Sequence, residues 1–566
     1  MLDLILYNAQ IADVFRLRLF EGWVGIRNGR FAYVEEGTPP EGIEAKDKLD
    51  AGGLMLAPGL IDSHMHIESS LITPRRFAET VIPFGTTTIL SDPHEVGNVA
   101  GEAGVRWMFD ASRDLPLKIY HSIPSCVPAT DPDYEWTGQV FDADVIRRLA
   151  EEPTVIALGE VMDYRGLMGA NARLQAIVKA AWDAGLMVEG HIPTLRGPEL
   201  SEYLEHGVGS DHTLAYPEKI EEQLSKGLAV MLQTKSITPE NMATVNALAD
   251  KSRILLVTDD LEPPLLIEGH LSRMVTLAIE NGLAPLEAWA SSSIRPARYM
   301  GLRDVGSIAP GFKANFVLTS DMAHFPPEAV YIAGEKIAEN GKLAPVQWPD
   351  LPPMTINSPV PGPLQPEDFR LVTNSSGTRD VTANVVVIQN TMNTLTRLEQ
   401  ITVSVDADGY PIFAEGDGLA MASIISRDGS SHMVGIIKNT GLNAGAFAST
   451  VAHDCHNLLV IGRDAVSMSW AAQAVKATGG GVSVANGENL LASLALPYFG
   501  LLSDEPVPQV AADLEAVETA LRGLGMTHQR PFLLLSIMSL SVSPFVKFTD
   551  RGVIDTEARD LLPTWE

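Results

Sequence analysis

The stretch GLIDSHMHIESS, residues 59–70, places His64 and His66 two positions apart at the end of an apolar run. In an extended strand, residues i and i+2 face the same side, so both imidazoles can reach one point. Glu68 adds a carboxylate two positions later. A pair of histidines near a strand end is a weak signal by itself, because many such pairs are structural. The predicted strands and polar residues in the rest of the chain are therefore needed to interpret this pair of histidines.

Eight short apolar runs of strand length follow one another along the first half of the chain. They are LMLAPGLID (54–62), TTTILSDP (86–93), LKIYHSIP (117–124), TVIALGE (154–160), GLMVEGH (185–191), GVGSDH (207–212), GLAVMLQ (227–233) and RILLVTDD (253–260). Amphipathic stretches such as NARLQAIVKAAWDAG (171–185) separate several of them and have helical spacing. Eight strands alternating with helices over about 250 residues is typical of a (β/α)₈ TIM barrel. The sequence therefore predicts an α/β fold with this barrel across residues 56–304.

The segments on either side of the predicted barrel are of different kinds. Residues 1–55 and 305–343 contain short alternating strands and turns, and we expect them to join in one small flanking β domain. Residues 344–368 are rich in proline and predict a semi-rigid linker. Residues 369–566 mix strand-like and helix-like stretches and predict a separate C-terminal α+β domain.

Metal-binding side chains follow six of the eight predicted strands. They are His64, His66, His94, Glu160, His191, His212 and Asp259. The carboxyl ends of barrel strands form the active-site face, so these side chains should converge in a small volume. Imidazole and carboxylate are ligands of Zn, Mn and Fe. The sequence therefore predicts a metal centre, in which Glu160 can bridge two ions and Asp259 can accept a proton from metal-bound water.

The sequence alone does not decide the roles of several residues near this centre. Asp259 is preferred to Asp260 as the ligand because it follows the strand more directly. His94 can bind either metal or substrate. Glu68 either orients a ligand or substrate or is a solvent-facing loop residue. Five other histidines lie away from strand ends and are predicted to be surface or hydrogen-bonded polar residues: His206, His270, His324, His432 and His528.

A second polar cluster lies far along the chain, in VAHDCHN. His453, Asp454 and His456 occupy three of four consecutive positions after an apolar run. Burying three such groups for packing alone is costly. We expect this loop to contact substrate or close a pocket; the alternative is a hydrogen-bonded turn within its own domain.

The net charge of the chain limits the kinds of molecule that it can bind. The formal net charge is −30 and the pI is near 4.8, which argues against binding to nucleic acid or to an anionic membrane surface. The two cysteines, Cys126 and Cys455, form no Cys-x-x-Cys motif and no disulfide framework. The first residues lack the basic region and cleavage site of a secretory signal. We expect a cytoplasmic protein that acts on a small molecule.

Ordered motifs extend the pattern along almost the whole chain. APGLIDSHMHIESS, FGTTTILSDPHEVGNV, LGEVM, GSDH and LLVTDD lie in the predicted barrel, and GAFASTVAHDCHNLLVIG and ATGGGVSV lie in the C-terminal part. In these motifs the chain resembles the bacterial adenine deaminase family of the amidohydrolase superfamily. The resemblance implies hydrolysis of adenine to hypoxanthine and ammonia. It also implies a binuclear divalent metal site, with Mn or Fe preferred and Zn as the alternative, and a homodimer or larger homo-oligomer.

The implied mechanism assigns roles to individual residues. A metal-bound hydroxide attacks the amino-bearing ring carbon, Asp259 receives its proton, and His212 or His191 orients the ring. We assign catalytic roles to Asp259, Glu160, His212 and Glu68. The predicted substrate-binding residues are Glu95, Ser69, Asp260, His453 and His456.

The chain departs from the family pattern at a few positions. Where the family usually has Arg-Glu-Gly-Ser, this chain reads QTKS (233–236), and it has Asp428 where His is usual. After His191 it reads IPTLR, where APGLS is more usual. These changes leave open a related hydrolase that deaminates another aminopurine or amino-heterocycle, or opens a cyclic amide. The complete ligand set argues against a third alternative, a non-enzymatic metal-binding relative.

Overall fold

The computed structural model describes residues 1–169, 171–355, 360–362, 364–371, 379–389 and 395–565. Parts of the predicted linker 344–368 and of the predicted domain 369–566 thus lie outside the described residues. The chain forms two compact units. The first contains residues 1–92, 109–123 and 146–352, and the second contains 93–108, 124–145 and 353–566. The domain boundaries at residues 55, 304, 343 and 368 remain predictions.

The first unit begins with short strands, as the alternating sequence predicts. They are β1 (Leu2–Asp13), β2 (Arg18–Arg27), β3 (Arg30–Glu36), β4 (Ala45–Asp50) and β5 (Met55–Pro58). Strands β2 and β3 form a hairpin whose two turn residues, Asn28 and Gly29, both have positive φ. An Asn-Gly pair favours this turn because both residues tolerate the left-handed conformation.

The eight barrel strands follow in the predicted order. They are β6 (Leu60–Met65), β7 (Thr86–Ser91), β8 (Lys118–Ile123), β9 (Val155–Val161), β10 (Met187–Gly190), β11 (Ser210–Asp211), β12 (Ala229–Leu232) and β13 (Ile254–Leu256). The prediction of one strand across residues 54–62 was wrong, because this run divides between two sheets. Strand β5 pairs with β1 in the N-terminal sheet, and β6 starts the barrel after Gly59. A Cβ at Gly59 would lie 2.5 Å from the Thr87 side chain, so the chain passes too closely there for a larger residue.

Backbone hydrogen bonds close the eight parallel strands into a barrel. Strands β6 to β10 form one five-stranded sheet, and β11 to β13 form a three-stranded sheet. The Gly209 N–H donates to the Val188 carbonyl at 2.9 Å, and the Asp259 N–H donates to the His64 carbonyl at 3.2 Å. These two bonds join the sheets at both sides. The predicted TIM-barrel architecture is therefore confirmed.

A buried polar network reinforces the closure between β6 and β13. The Thr258 hydroxyl donates to Asp62 Oδ2 at 2.7 Å, and the Thr258 N–H reaches the same oxygen at 3.2 Å. His270 lies 3.2 Å from the Thr258 hydroxyl and, through its other nitrogen, 3.1 Å from that of Thr86. Burial raises the pKa of Asp62 to about 7, although these hydrogen bonds oppose the rise. His270 is thus a hydrogen-bonded buried residue, as predicted.

Helices alternate with the barrel strands, and four further strands return to the N-terminal sheet. The helices of this part of the chain are α1 (Pro74–Val81), α2 (His94–Ala111), α3 (Ala143–Leu149), α4 (Tyr164–Met168), α5 (Ala172–Asp183), α6 (Gly197–Glu205), α7 (Pro217–Ser225), α8 (Pro239–Ala247), α9 (Pro263–Leu266), α10 (Leu271–Glu280), α11 (Pro285–Ser291) and α12 (Ile294–Tyr299). Helix α2 is interrupted at Gly101 and continues from the second unit into the first. The chain then returns through β14 (Phe316–Thr319), β15 (Ala329–Ile332), β16 (Glu335–Glu339) and β17 (Lys342–Leu343). Strand β14 pairs antiparallel with β5, so both ends of the unit share one nine-stranded sheet.

The second unit is built on an eight-stranded mixed sheet. Its elements are β18 (Arg379–Ile388), β19 (Thr396–Val405), β20 (Leu419–Ile425), β21 (His432–Lys438), β22 (Ala446–Ser449), β23 (Leu458–Gly462), α13 (Ala465–Ala477), β24 (Gly481–Asn486), β25 (Asn489–Ala495), α14 (Val507–Gly523), α15 (Pro531–Ser536), β26 (Val546–Thr549), β27 (Gly552–Asp555) and β28 (Asp560–Leu562). Asp464 caps α13 by accepting the Ser467 N–H at 2.8 Å. Met468 and Val475 of this helix pack into the apolar core beside β23.

The loop after β8 belongs to this second unit. Trp136 donates its indole N–H to Asp428 at 2.8 Å and its backbone N–H to Asp550 at 2.7 Å, and its carbonyl accepts from Asn457 at 2.9 Å. The neighbouring Glu135 is buried and accepts hydrogen bonds from the Thr130 N–H and the Ser541 hydroxyl through one oxygen. Burial raises the pKa of Glu135 to about 7 despite these bonds.

The Thr258→Val substitution should lower the free energy of unfolding by about 1–3 kcal/mol. It keeps the side-chain shape but leaves buried acceptors without their donor. Thermal and urea unfolding of the full chain measure the change. Thr244→Val, a partly exposed position on α8, is the matched control and should change stability by less than about 0.5 kcal/mol. Equal effects of the two substitutions would contradict a role for the network in closing the barrel.

The Glu135→Gln substitution should remove part of the pH dependence of stability. The folded pKa of Glu135, about 7, lies above its ordinary value of 4.5, so wild-type stability falls as pH rises through this interval and levels off above it. Glutamine cannot ionise, so the variant should gain roughly 3 kcal/mol relative to wild type between pH 4.5 and pH 8. Urea unfolding at both pH values measures this. The exposed Glu151→Gln should keep the wild-type profile; a Glu135→Gln profile parallel to wild type would refute the assignment.

Candidate metal centre

The first group of predicted ligands lies where the barrel closes. His64 is on β6, His66 follows it, and Asp259 follows β13 with a positive φ. Asp259 Oδ1 lies 3.8 Å from His64 Nε2 and 3.6 Å from His66 Nε2. Strand pairing between Met65 and Asp259 brings these residues together. The predicted convergence of these three side chains is therefore observed.

A second group surrounds the other side of Glu160, at the end of β9. Glu160 Oε2 lies 2.7 Å from His191 Nδ1 and 3.2 Å from His212 Nε2. Glu160 Oε1 lies 3.4 Å from His66 Nε2. The His64 and His212 rings stack with 4.0 Å between centroids. The two oxygens of one carboxylate thus face imidazoles of two different groups.

The spacing of these atoms fits a divalent metal centre. Two ligands bonded to one ion at about 2.1 Å lie roughly 3 to 3.5 Å apart. The separations of 3.2 to 3.8 Å around Asp259 and Glu160 are close to this value. In addition, His64 Nε2 is buried and makes no hydrogen bond to any described residue. A buried ring nitrogen of this kind is suited to ligate an ion.

The buried carboxylates of the cluster stabilise positive charge beside them, as the pKa values of three of its residues indicate. Burial alone would raise the pKa of Glu160, but the charge of His212 and hydrogen bonds from three imidazoles hold it well below its ordinary value. Burial similarly would lower the pKa of His212, but Glu160 and Asp259 raise it to about 9. Burial and the neighbouring His212 and His66 lower the pKa of His64 to about 3, so its imidazole is neutral. The ionised Glu160 and the neutral His64 are in the protonation states that metal binding requires, and a divalent cation at His212 would have to displace the proton that the two carboxylates stabilise there.

Three predicted neighbours of the centre, Glu68, Ser69 and Asp260, lie in the first unit. Glu68 is fully buried in a short turn after β6, which excludes the solvent-facing alternative. The Ser69 hydroxyl donates to Asp260 Oδ1. Asp260 is exposed and bonded to Ser69, whereas Asp259 faces both imidazoles of the first group. Asp260 also lies near His66 and Asp259, so the choice of Asp259 as the ligand remains a prediction.

The other predicted site residues lie in the second unit. Glu95 Oε1 is 3.6 Å from His453 Nδ1, and Glu95 Oε2 is 3.6 Å from His456 Nε2. Asp454 Oδ1 lies 3.7 Å from His94 Nε2. The VAHDCHN loop is also a hydrogen-bonded turn, because the His456 N–H donates to the Ala452 carbonyl at 2.7 Å. The ligand role of His94 and the substrate roles of this cluster remain predictions.

The structure adds residues that the sequence did not single out. Glu189 lies on β10, two positions before His191, and its Oε2 lies 3.5 Å from His64 Nδ1. The Asp92 carbonyl lies 3.1 Å from His66 Nδ1. Such partners orient the ring of a ligating histidine and select its tautomer. The alternation of side chains along GLMVEGH could have indicated Glu189, whereas nothing in the sequence marks a carbonyl.

The unusual segment QTKS contributes one residue to the centre. Gln233 Nε2 donates to Asp259 Oδ2 at 2.7 Å. Thr234 and Lys235 are exposed, and Thr234 bonds the Met274 sulfur. Of residues 233–235, Gln233 therefore contacts a predicted ligand, whereas Thr234 and Lys235 are exposed.

Comparisons with known proteins match both halves of the chain. Residues 55–337 match the amidohydrolase family, and residues 393–560 match the adenine deaminase C-terminal domain. The chain is 37% identical to an adenine deaminase of Nitratidesulfovibrio vulgaris, covering 98% of this chain and 95% of that protein. The chain belongs to the adenine deaminase family. It is also 34% identical to an adenine deaminase of Desulfatibacillum aliphaticivorans (100% and 97% covered) and 35% identical to adenine deaminase 2 of Carboxydothermus hydrogenoformans (99% and 96%).

Membership of the family assigns a chemistry to the polar cluster at the carboxyl ends of the barrel strands. The chain is a metal-dependent hydrolytic deaminase, and its amidohydrolase half implies a divalent metal centre at the His, Asp and Glu cluster. In the described part of the chain, none of the helices combines the length and apolar character needed to cross a bilayer.

The Glu189→Ala substitution should weaken metal retention by about 10- to 100-fold. It removes the carboxyl group behind His64, and loss of such a partner weakens metal affinity by this amount in other sites. Metal content after timed dialysis against a chelator measures the effect. The exposed Glu199→Ala on α6 is the control and should retain metal like wild type. Equal retention by both variants would rule out a supporting role for Glu189.

Proposed function

We propose that this chain hydrolyses adenine to hypoxanthine and ammonia at a binuclear divalent metal site. The observation that carries the proposal is Glu160, whose two oxygens face His66 on one side and His191 and His212 on the other. A carboxylate in this position suits a bridge between two ions. Mn or Fe is the preferred pair and Zn the alternative. The full-length similarity to proteins named adenine deaminase supports the substrate.

The ligands divide between two positions in this proposal. His64, His66 and Asp259 would hold one ion, and His191 and His212 would hold the other. His94 is proposed as a further ligand. When bound, the metals supply Lewis acidity and lower the pKa of a water molecule.

The remaining chemistry belongs to side chains of the chain. The water oxygen bonds to the amino-bearing carbon of the ring, the carbon–nitrogen bond breaks, and the amino group leaves as ammonia. Asp259 accepts a proton from the water and passes it to the leaving nitrogen, a contribution of about 10²- to 10⁴-fold. His212 or His191 orients the ring. Asp259 suits this role because Oδ1 faces the imidazoles of the centre.

Glu68, which is also assigned a catalytic role, is proposed to orient the substrate together with the predicted binding residues, Glu95, Ser69, Asp260, His453 and His456. Carboxylates, hydroxyls and imidazoles match the donors and acceptors around a purine. A site that hydrogen-bonds its substrate discriminates strongly against analogues that lack those groups.

Assembly and location remain proposals as well. We propose a cytoplasmic homodimer or larger homo-oligomer that binds neither nucleic acid nor membrane. The net charge of −30 supports the last point. Light scattering of the purified chain would measure its assembly, and a monomer at micromolar concentration would contradict this part.

Ammonia release from adenine tests the reaction. The chain reconstituted with Mn²⁺ or Fe²⁺ should release one ammonia for each adenine lost, with hypoxanthine as the other product. Asp259→Asn should lower kcat by about 10²- to 10⁴-fold, because the proton acceptor is removed. Asp183→Asn, on the exposed face of α5, should be as active as wild type.

Folded, metal-loaded protein that releases no ammonia from adenine would overturn the substrate assignment. Turnover of another aminopurine or amino-heterocycle, or opening of a cyclic amide, would then favour the related hydrolase. Full activity of Asp259→Asn would instead refute the proposed role of this carboxylate.

A further inference from the structure

Gln233 holds one side of the Asp259 carboxylate. It follows β12, the strand next to β13, and its side chain is buried. Its amide donates to Asp259 Oδ2 at 2.7 Å. The other oxygen, Oδ1, faces His64 and His66. The two oxygens of Asp259 therefore have different partners.

This arrangement restricts how the carboxylate can rotate. The backbone of Asp259 is held by its N–H bond to the His64 carbonyl. Rotation of the carboxyl group would break the bond from Gln233 and turn Oδ1 away from the imidazoles. A donor on Oδ2 thus keeps Oδ1 directed at the position that the first group of ligands encloses.

The donor to Asp259 Oδ2 carries no charge, and this affects how the carboxylate can bind an ion. A glutamine amide is neutral, so it restrains Oδ2 without neutralising the carboxylate that an ion at Oδ1 requires. A lysine or arginine in its place would instead bring a cation against the carboxylate. The nearby Lys235 does not take this role, because its side chain is exposed.

We infer that Gln233 is a positioning residue for Asp259, holding Oδ2 so that Oδ1 remains available to metal and to the transferred proton. Both parts rest on the proposed function, the first on Asp259 as a metal ligand and the second on Asp259 as the proton acceptor. Thr234 and Lys235 have no share in this role, since neither contacts Asp259 in the described structure.

The test compares two variants at Gln233. Gln233→Met keeps the length of the side chain and removes the donor, and Gln233→Glu replaces the donor with an acceptor. Gln175→Met is the matched control, because Gln175 also donates an amide N–H, to the Leu167 carbonyl at 3.0 Å, but on α5. Each protein is loaded with Co²⁺ or Mn²⁺ and assayed for metal retention, Co²⁺ absorption spectrum and steady-state kinetics.

Both Gln233 variants should lose metal to a chelator at least 10-fold faster than wild type and show a changed Co²⁺ spectrum. With adenine, kcat should fall 10- to 100-fold while KM changes less than 3-fold. Gln175→Met should match wild type in every measurement. The chelator and spectral measurements use no substrate, so they remain decisive even if adenine is not turned over.

Three outcomes would overturn the inference. Wild-type metal retention and spectrum in both Gln233 variants would show that Asp259 is positioned without this bond. A rise in KM with unchanged kcat would assign Gln233 to substrate binding. Equal losses in Gln175→Met and Gln233→Met would reduce the effect to general destabilisation.

Discussion

Burial of the Glu160 carboxylate among imidazoles is the constraint on which the rest of the site depends. An ionised carboxylate in a protein interior is costly unless positive charge or hydrogen-bond donors surround it. Three histidines from different strand ends supply them here, at distances of 2.7 to 3.4 Å. Only a closed barrel brings these strand ends to one point. The fold therefore offsets the cost of burying this charge, and a divalent cation bound at the cluster would neutralise it further.

A second set of contacts lies behind the predicted ligands and fixes their orientation. His64 faces Glu189, His66 faces a backbone carbonyl, and Asp259 faces Gln233. Each contact leaves the opposite side of the ligand directed at the centre. Next to this layer, the Asp62 network joins the first and last strands, so the elements that carry His64 and Asp259 are held together twice. Ligand orientation and barrel closure are thus parts of one hydrogen-bonded system.

The second unit repeats the principle with different residues. Glu95 is buried with its two oxygens close to His453 and His456, and Glu135 is buried with donors on one oxygen. The adenine deaminase C-terminal domain match covers most of this unit. Loop residues that follow barrel strands in the sequence belong to it in space. A division of the chain by sequence alone would not assign them there, because composition does not distinguish a loop that stays with its barrel from one that leaves it.

Local sequence determined the order and type of the barrel elements. Short apolar runs ending in His, Glu or Asp are enough to indicate parallel strands with polar residues at their carboxyl ends, because strand periodicity and burial act over a few residues. Tertiary structure alone decided that LMLAPGLID divides between two sheets, that Glu68 is buried, and that Gln233 meets Asp259. These outcomes depend on which strands become neighbours, and that choice follows from packing between residues far apart in the chain.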